Sequence, residues 1–140
     1  MTINKALEIA TKAHEGQLDK SGVAYIHHPI GVAELVEGDD AKIVALLHDV
    51  IEDTALTMED LRQADFSEEV LAAVQVITKV KGECNDAYIA RVKENPLALR
   101  VKLADIEHNR GRMEGIADSA TRERLKLKYE RALQLMGVLT

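Results

Sequence analysis

The stretch ALLHDVIEDT, residues 45–54, carries four side chains that can do metal or acid–base chemistry. They are His48, Asp49, Glu52 and Asp53. On a helix, residues four apart lie on the same face, so the two pairs with that spacing converge on one patch. Carboxylates at the edge of a core need compensation from a metal ion or from hydrogen-bonding partners. An imidazole beside a carboxylate is a good ligand pair for Mn²⁺, Fe²⁺ or Zn²⁺, so the stretch predicts part of a metal site.

Two other segments offer the remaining ligands. His27 and His28 precede Pro29, and the segment KLADIEHN covers residues 102–109. Polar side chains fall on one face of that second segment at spacings of three and four, namely Lys102, Asp105, His108 and Asn109. Apolar residues occupy much of the remaining surface, which is typical of a helix with one polar strip.

Each of these residues also has a simpler interpretation. A His-Asp pair is commonly a surface or helix-capping feature, and Glu52 and Asp53 fit the solvated end of a helix equally well. His14 and His27 suit structural or exposed positions better than ligand positions. A site is favoured because three separate segments each present a His or an Asp where a hydrophobic residue would pack better.

The elements that must position these residues are predicted to be helices, because almost every segment has helical period and none alternates like a strand. The predicted helices cover residues 2–15, about 28–36, 39 or 40 to 51, a short helix opened by Thr57, 67–79, 86–95, 96 to about 110, and 119–139. TMED, residues 57–60, resembles a capping box with Asp in place of Glu. The sequence therefore predicts an all-α fold, a single compact bundle of seven or eight helices.

Composition narrows the function classes. The chain has 140 residues and a net charge of −6, so neither a nucleic acid nor an anionic membrane is an expected partner. The basic run at residues 122–131 is interpreted as the solvated face of a helix. Cys84 is the single cysteine, and Lys5, Glu8 and Lys12 interrupt any early apolar segment. Together with the lack of a membrane-length apolar run, these features indicate a cytoplasmic protein.

Four motifs occur in the order seen in a known enzyme superfamily. They are AHEGQ, KSGVAYIHHP, ALLHDVIEDT and VKLADIEHN, within about residues 6–109. This order resembles the HD superfamily of metal-dependent phosphohydrolases, and most of all the hydrolase domain of RelA/SpoT-type proteins and their small single-domain relatives. Those enzymes remove pyrophosphate from the 3′ position of guanosine bis-pyrophosphate, using Mn²⁺. The resemblance implies one HD-type helical domain over residues 1–140.

The resemblance also implies roles for individual residues. The positions that match the family's metal ligands are His28, His48, Asp49 and Asp105. Those that match its catalytic acidic pair are Glu52 and Asp53, and either of these two can be the base. Those that match its substrate-facing positions are Lys20 and Asn109. Mn²⁺ is the implied cofactor, with another divalent first-row metal as the alternative, and His27 does not match a ligand position.

The chain departs from the family pattern around the nucleotide. A basic residue that stacks on guanine precedes the lysine in the family, whereas this chain has Asp19. The Met-Arg-Thr-like continuation after the His-Asn pair is replaced by Arg110, Gly111 and Arg112. Charge alone makes Lys102, Arg110 and Arg112 candidate phosphate contacts. The departures leave the metal and acid positions intact and leave the base specificity open.

The leading hypothesis is a Mn²⁺-dependent phosphohydrolase of a phosphorylated nucleotide, with guanosine 3′,5′-bis-pyrophosphate as the first substrate to test. The nearest alternative is an HD phosphohydrolase for another nucleotide or phosphate ester, which Asp19 motivates. A nucleotide-binding sensor without turnover, or a metal-stabilised scaffold, is a third. The pair Glu52-Asp53 argues against that third class, because a binding protein has little reason to keep acids beside a polyphosphate. The sequence leaves the oligomeric state open.

Overall fold

This computed structural model describes residues 2–138. That range contains nine α-helices and one short 3₁₀ turn, joined by loops. The helices are α1 (Thr2–Ala13), α2 (His27–Glu34), α3 (Asp39–Leu47), α4 (Val50–Asp53), α5 (Met58–Gln63), α6 (Glu68–Ile77), α7 (Asn85–Lys93), α8 (Pro96–Gly111) and α9 (Ser119–Leu135), and the 3₁₀ turn is Met113–Gly115. Apart from an isolated bridge between Leu18 and Ala24, no β-structure occurs in this range. The all-α prediction is confirmed. The predicted domain also includes Met1, Leu139 and Thr140, which lie outside the described residues.

Each predicted helix is present, but the third was wrongly predicted as one continuous element. α3 ends at Leu47 and α4 begins at Val50, with His48 and Asp49 between them. The His48 ring contacts the carbonyl oxygen of Ala45 at 2.5 Å from Nδ1. In a continuous helix that carbonyl would accept the N–H of Asp49, so the His48 side chain competes with the helical hydrogen bond.

Helix α3 lies at the centre of the bundle. It packs against α1, α2, α6 and α8, and six of its residues are buried. A helix surrounded on all sides has apolar residues around its whole circumference, which is why residues 43–47 read IVALL. The chain that leaves its C-terminal end therefore starts inside the protein, and this places His48 in the interior and Asp49 at its edge.

Capping side chains fix several of the helix boundaries. Thr57 Oγ1 accepts the N–H of Asp60 at 3.2 Å, and the Asp60 carboxylate accepts the N–H of Thr57 at 2.9 Å, which confirms the predicted capping box. The Lys42 ammonium donates to the carbonyl oxygens of Ala33 and Val36, both at 2.9 Å. Because Lys42 belongs to α3, it ties the end of α2 to the central helix.

The C-terminal helix has the predicted amphipathic character. Leu125, Ala132 and Leu133 of α9 are buried, while most of its charged side chains are exposed. Gly137 adopts φ +80°, a conformation that commonly ends a helix, so α9 stops before the predicted residue 139. Among residues 2–138, no helix is both long and apolar enough to cross a membrane.

Candidate active site

Four side chains from three parts of the fold meet beside the central helix. They are His28 from α2, His48 and Asp49 from the α3–α4 junction, and Asp105 from α8. His28 Nε2 lies 2.7 Å from Asp105 Oδ1 and 4.0 Å from Asp49 Oδ2. His48 Nε2 lies 3.0 Å from Asp49 Oδ2 and 3.2 Å from Asp105 Oδ1. We call this set the donor cluster.

The spacing within the donor cluster fits a single metal ion. Donor atoms of His28, His48 and Asp49 all lie within 4.8 Å of one another. Ligands about 2.0–2.5 Å from one ion lie up to about 4–5 Å apart, so these atoms occupy the volume of one coordination sphere. Two imidazoles with two carboxylates form a mixed nitrogen and oxygen set of the kind that divalent first-row ions accept.

Each histidine ring is oriented by a contact at its other nitrogen. His48 Nδ1 lies 2.5 Å from the carbonyl oxygen of Ala45, which can only accept, so His48 Nε2 is left as a lone-pair donor. His28 Nδ1 lies 2.7 Å from Nδ1 of His108. If His28 Nε2 binds an ion, then Nδ1–H of His28 donates to His108. Such contacts fix the tautomer and aim the free nitrogen at the metal.

His108 reaches His28 because the facing residue on α2 is a glycine. A Cβ atom on Gly31 would lie 2.1 Å from His108 Nε2, well inside contact distance. The sequence places His108 on the polar strip of α8 but gives no sign of this approach, since the two residues are far apart in the chain. Sequence reasoning therefore named His108 only as part of this strip and missed its contact with His28.

The carboxylates of the donor cluster are held in their ionised form. Burial raises the pKa of Asp105, but Lys102, whose Nζ lies 3.0 Å from Asp105 Oδ2, together with His48 holds it well below its usual value. Burial also raises the pKa of Asp49, and the charge and hydrogen bond of His48 outweigh this and lower it to about 2. Burial lowers the pKa of His48, whereas Asp49 and Asp105 raise it well above its usual value. Asp49 and Asp105 therefore stay ionised, and a cation that binds His48 Nε2 takes the place of the proton that these carboxylates favour there.

The acidic pair lies on the single turn of α4, next to the donor cluster and exposed to solvent. Glu52 Oε1 accepts the N–H of Lys79 at 3.1 Å, and the carbonyl oxygen of Asp53 accepts from Gln17 Nε2 at 2.9 Å. Partial burial, and then the charges of Asp49 and Glu52, raise the pKa of Asp53 to about 6. A carboxylate with a raised pKa is a better proton acceptor than an unperturbed one.

A cavity of about 250 Å³ opens beside the cluster. Tyr25 connects the two, because its hydroxyl donates to Asp49 Oδ2 at 2.5 Å while its ring lines the cavity. Asn109 also lines the cavity, and its Nδ2 donates to Asp105 Oδ1 at 3.3 Å. Lys20 also lines the cavity. Burial raises the pKa of Tyr25, so the phenol remains a donor to the carboxylate.

The structure thus brings the eight candidate residues into one region, and their chemical roles stay predictions. Four form the donor cluster, two flank it on α4, and two line the cavity. His27 is exposed, in keeping with its exclusion. His14 is buried against Tyr25, with ring centroids 5.0 Å apart, and its Nδ1 lies 3.0 Å from Gln17 Oε1, so it has a structural environment. Of the candidate phosphate contacts, Lys102 is engaged with Asp105.

Comparison with known proteins defines the class. The HD domain family matches residues 6–105, most of the chain. The chain therefore belongs to the HD-domain family, whose members bind divalent metals, and all four residues of the donor cluster lie within the matched range.

Individual relatives narrow the resemblance. The chain is 35% identical to a GTP pyrophosphokinase of Streptomyces coelicolor over 98% of its own length and 17% of the relative's. It is 36% identical to a guanosine-3′,5′-bis(diphosphate) 3′-pyrophosphohydrolase of Haemophilus influenzae over 72% of its own length and 17% of the relative's. The chain thus spans about one sixth of the length of these curated relatives. A solved structure of a metazoan ortholog of SpoT that hydrolyses ppGpp shares the fold, with a TM-score of 0.75, 22% identity and coverage of 99% of this chain and 97% of that one.

Proposed function

We propose that this chain is a single HD-type hydrolase domain that removes pyrophosphate from the 3′ position of guanosine 3′,5′-bis-pyrophosphate. The observation that carries the proposal is the direct connection between the donor cluster and the cavity through Tyr25 and Asn109. The cavity has a cationic and an aromatic wall, which suit the phosphates and the base of a phosphorylated nucleoside. The products would be pyrophosphate and guanosine 5′-diphosphate.

The names of the relatives include both a pyrophosphokinase and a pyrophosphohydrolase. Because the chain corresponds to a small part of each, a relative's name alone does not decide between synthesis and hydrolysis. Hydrolysis is favoured by the chemistry of the site. It needs a water to lose a proton, and Glu52 and Asp53 lie beside the donor cluster as carboxylates that can accept one.

We propose His28, His48, Asp49 and Asp105 as ligands of Mn²⁺, with another divalent first-row ion as the alternative. Such an ion supplies a Lewis acid that polarises a phosphoryl oxygen and lowers the pKa of water. Lys102 lies behind Asp105 and holds its second oxygen, so Asp105 keeps its orientation whether or not the site is filled. Tyr25 restrains Asp49 in the same way from the cavity side.

The remaining residues act on the substrate. Asn109 faces the cavity next to Asp105 and positions the sugar-phosphate, and Lys20 attracts the phosphates through its charge. Glu52 or Asp53 takes the proton of the attacking water. The N–H of Lys79, which donates to the Glu52 carboxylate, and the side-chain amide of Gln17, which donates to the Asp53 carbonyl, keep their short helix in place. We also propose a cytoplasmic location, on the basis of the single cysteine and the substrate class.

The test is the release of pyrophosphate by Mn²⁺-loaded protein from guanosine 3′,5′-bis-pyrophosphate, its adenosine analogue and simple nucleotides. We expect pyrophosphate and guanosine 5′-diphosphate in equal amounts, and no turnover by Asp49→Ala. Of Glu52→Gln and Asp53→Asn, the variant that removes the base should lower kcat by about a hundredfold or more, in the range for loss of a general base. Glu69→Gln, an exposed glutamate of α6, is the matched control and should match the wild type.

Other outcomes would point to the alternatives. Turnover of a different phosphate ester alone would show that the metal and acid machinery serves another substrate. If the protein binds the nucleotide tightly without releasing product, and Glu52→Gln binds it as tightly as the wild type, the protein is a sensor and not an enzyme.

A further inference from the structure

The loop between α1 and α2 is organised by Asp19. Asp19 Oδ1 accepts the backbone N–H groups of Ser21 at 2.8 Å and Val23 at 3.0 Å. Asp19 Oδ2 accepts from Nη1 of Arg112 at 3.0 Å. The sequence alone suggests that Asp19 repels phosphate, but in the structure its charge is paired and both of its oxygens are occupied. Asp19 is therefore a support for Arg112 and for the loop.

Arg112 follows the last residue of α8 and is clamped along its edges. Nε and Nη2 donate to Asn109 Oδ1 at 3.1 and 2.7 Å, while Nη1 donates to Asp19. The guanidinium carbon lies 5.9 Å from the centroid of the Tyr25 ring, within the range of a cation–π contact. Hydrogen bonds of a guanidinium lie in its plane, so these partners leave the faces of the group for other contacts.

The clamped guanidinium lies in the wall of the cavity that adjoins the donor cluster. Tyr25, Asn109 and Arg112 all line that cavity, together with the apolar side chains of Met113, Ile116 and Leu125. The wall here combines a planar cation, an aromatic ring and apolar groups. The donor cluster adjoins the same wall, because Tyr25 and Asn109 are hydrogen-bonded to Asp49 and Asp105.

We propose that Arg112 is the residue that binds the nucleobase, by stacking a face of its guanidinium on the purine ring. This inference rests on the proposed function, because it assumes a nucleotide in the cavity. A guanidinium is weakly hydrated and stacks well on flat rings, and arginine planes stack on unpaired bases in nucleic-acid complexes. Asp19 and Asn109 hold the plane in place before the ligand arrives, so little side-chain freedom is lost on binding.

Two features favour a base over a phosphate as the partner of Arg112. Its charge is already compensated by Asp19 at 3.0 Å, which weakens its attraction for a further anion. Beside it the cavity wall includes the ring of Tyr25 and the apolar side chains of Met113 and Ile116, which suit a flat ring better than a hydrated phosphate. Stacking does not read the edge of a base, so guanosine and adenosine compounds should depend on Arg112 to the same degree.

The experiment replaces Arg112 with Lys in the 140-residue chain. The substitution keeps the positive charge and removes the planar guanidinium. We expect KM for guanosine 3′,5′-bis-pyrophosphate to rise about tenfold, with kcat within about threefold of wild type. Inorganic pyrophosphate, which has no base, should inhibit the variant and the wild type equally well. Arg62→Lys, an exposed arginine of α5, is the matched control and should leave KM unchanged.

Binding of guanosine 5′-diphosphate, measured by calorimetry with Mn²⁺ present, tests the inference without requiring turnover. If the wild type binds this nucleotide and Arg112→Lys weakens it about tenfold, the inference holds even where the proposed hydrolysis fails. Asp19→Asn keeps the loop contacts and loosens Arg112, so it should weaken binding in the same direction. Unchanged nucleotide binding in both variants, or a parallel loss of pyrophosphate inhibition, would overturn the role in base recognition.

Discussion

The donor cluster and the adjoining cavity are built in different ways. The donor cluster is mostly buried, and its side chains come from α2, the α3–α4 junction and α8, where α2, α3 and α8 pack against one another. The cavity is lined by the α1–α2 loop, the end of α8, the segment that follows it and part of α9, and its key contact joins Asp19 to Arg112 across 93 residues of chain. The difference indicates that helix packing fixes the donor cluster, whereas the proposed ligand contacts depend on the partly exposed pair Asp19 and Arg112.

The largest effect should follow from removing Asp105. Asp105→Ala deletes a donor and leaves Lys102, only 19% exposed, without its carboxylate. We expect no measurable Mn²⁺ binding by calorimetry, loss of activity and a decrease of roughly 3 kcal/mol in the free energy of unfolding. Asp19→Ala should leave Mn²⁺ binding intact, because Asp19 belongs to the cavity. Equal Mn²⁺ loss in both variants would remove the distinction between the two regions.

Metal removal should lower the stability of the protein through the donor cluster alone. A ligand that binds only the folded state stabilises it by about 2.7 kcal/mol at a concentration one hundred times its Kd. We therefore expect a chelator to lower Tm of the Mn²⁺-loaded wild type, as followed by circular dichroism. Asp49→Ala should melt at the same temperature with and without chelator. A chelator effect that persists in this variant would place the stabilising ion elsewhere.

A smaller effect is expected for the support behind His28. Gly31→Ala places a methyl group where His108 now lies, so His108 must move away from His28. Loss of such a support typically weakens metal binding by about 10–100-fold, which a Mn²⁺ titration would measure. Gly111→Ala is the matched control, because an added Cβ there meets no atom within 4 Å. Identical Mn²⁺ affinities in the two alanine variants would contradict the proposed role of His108.

The smallest change should come from a contact outside both regions. Lys42→Met removes the two hydrogen bonds that join α3 to the end of α2. We expect the free energy of unfolding in urea to fall by about 1–2 kcal/mol, with Mn²⁺ affinity and KM unchanged. Lys12→Met, at an exposed position of α1, is the control for the loss of charge. A change in KM would show that α2 transmits strain to the cavity.

Helix positions and the candidate ligands could be predicted because their signals are local. The capping box at Thr57 and Asp60, and the first-turn proline of α8, mark boundaries within a few residues of chain. The break between α3 and α4 could not be predicted, because the competition of the His48 ring for the Ala45 carbonyl depends on how the ring is packed.

The contacts that join distant segments also escaped prediction. The pairing of Asp19 with Arg112 and the fit of His108 over Gly31 arise only when separate helices come together. An acidic residue in a loop and an arginine after a helix each look like ordinary surface positions in the sequence. The structural role of each residue depends on the residue that it contacts, and a single sequence does not identify that contact.

The interruption at His48 and Asp49 also bears on protein design. Neighbouring side chains on an uninterrupted helix diverge by about 100°, so a His-Asp pair copied onto a straight helix would direct its two donors to different sides. Here Asp49 adopts φ −110° and ψ −2°, and both donors reach the same centre. A designer who grafts this centre onto another scaffold must therefore transplant the backbone break together with the two residues.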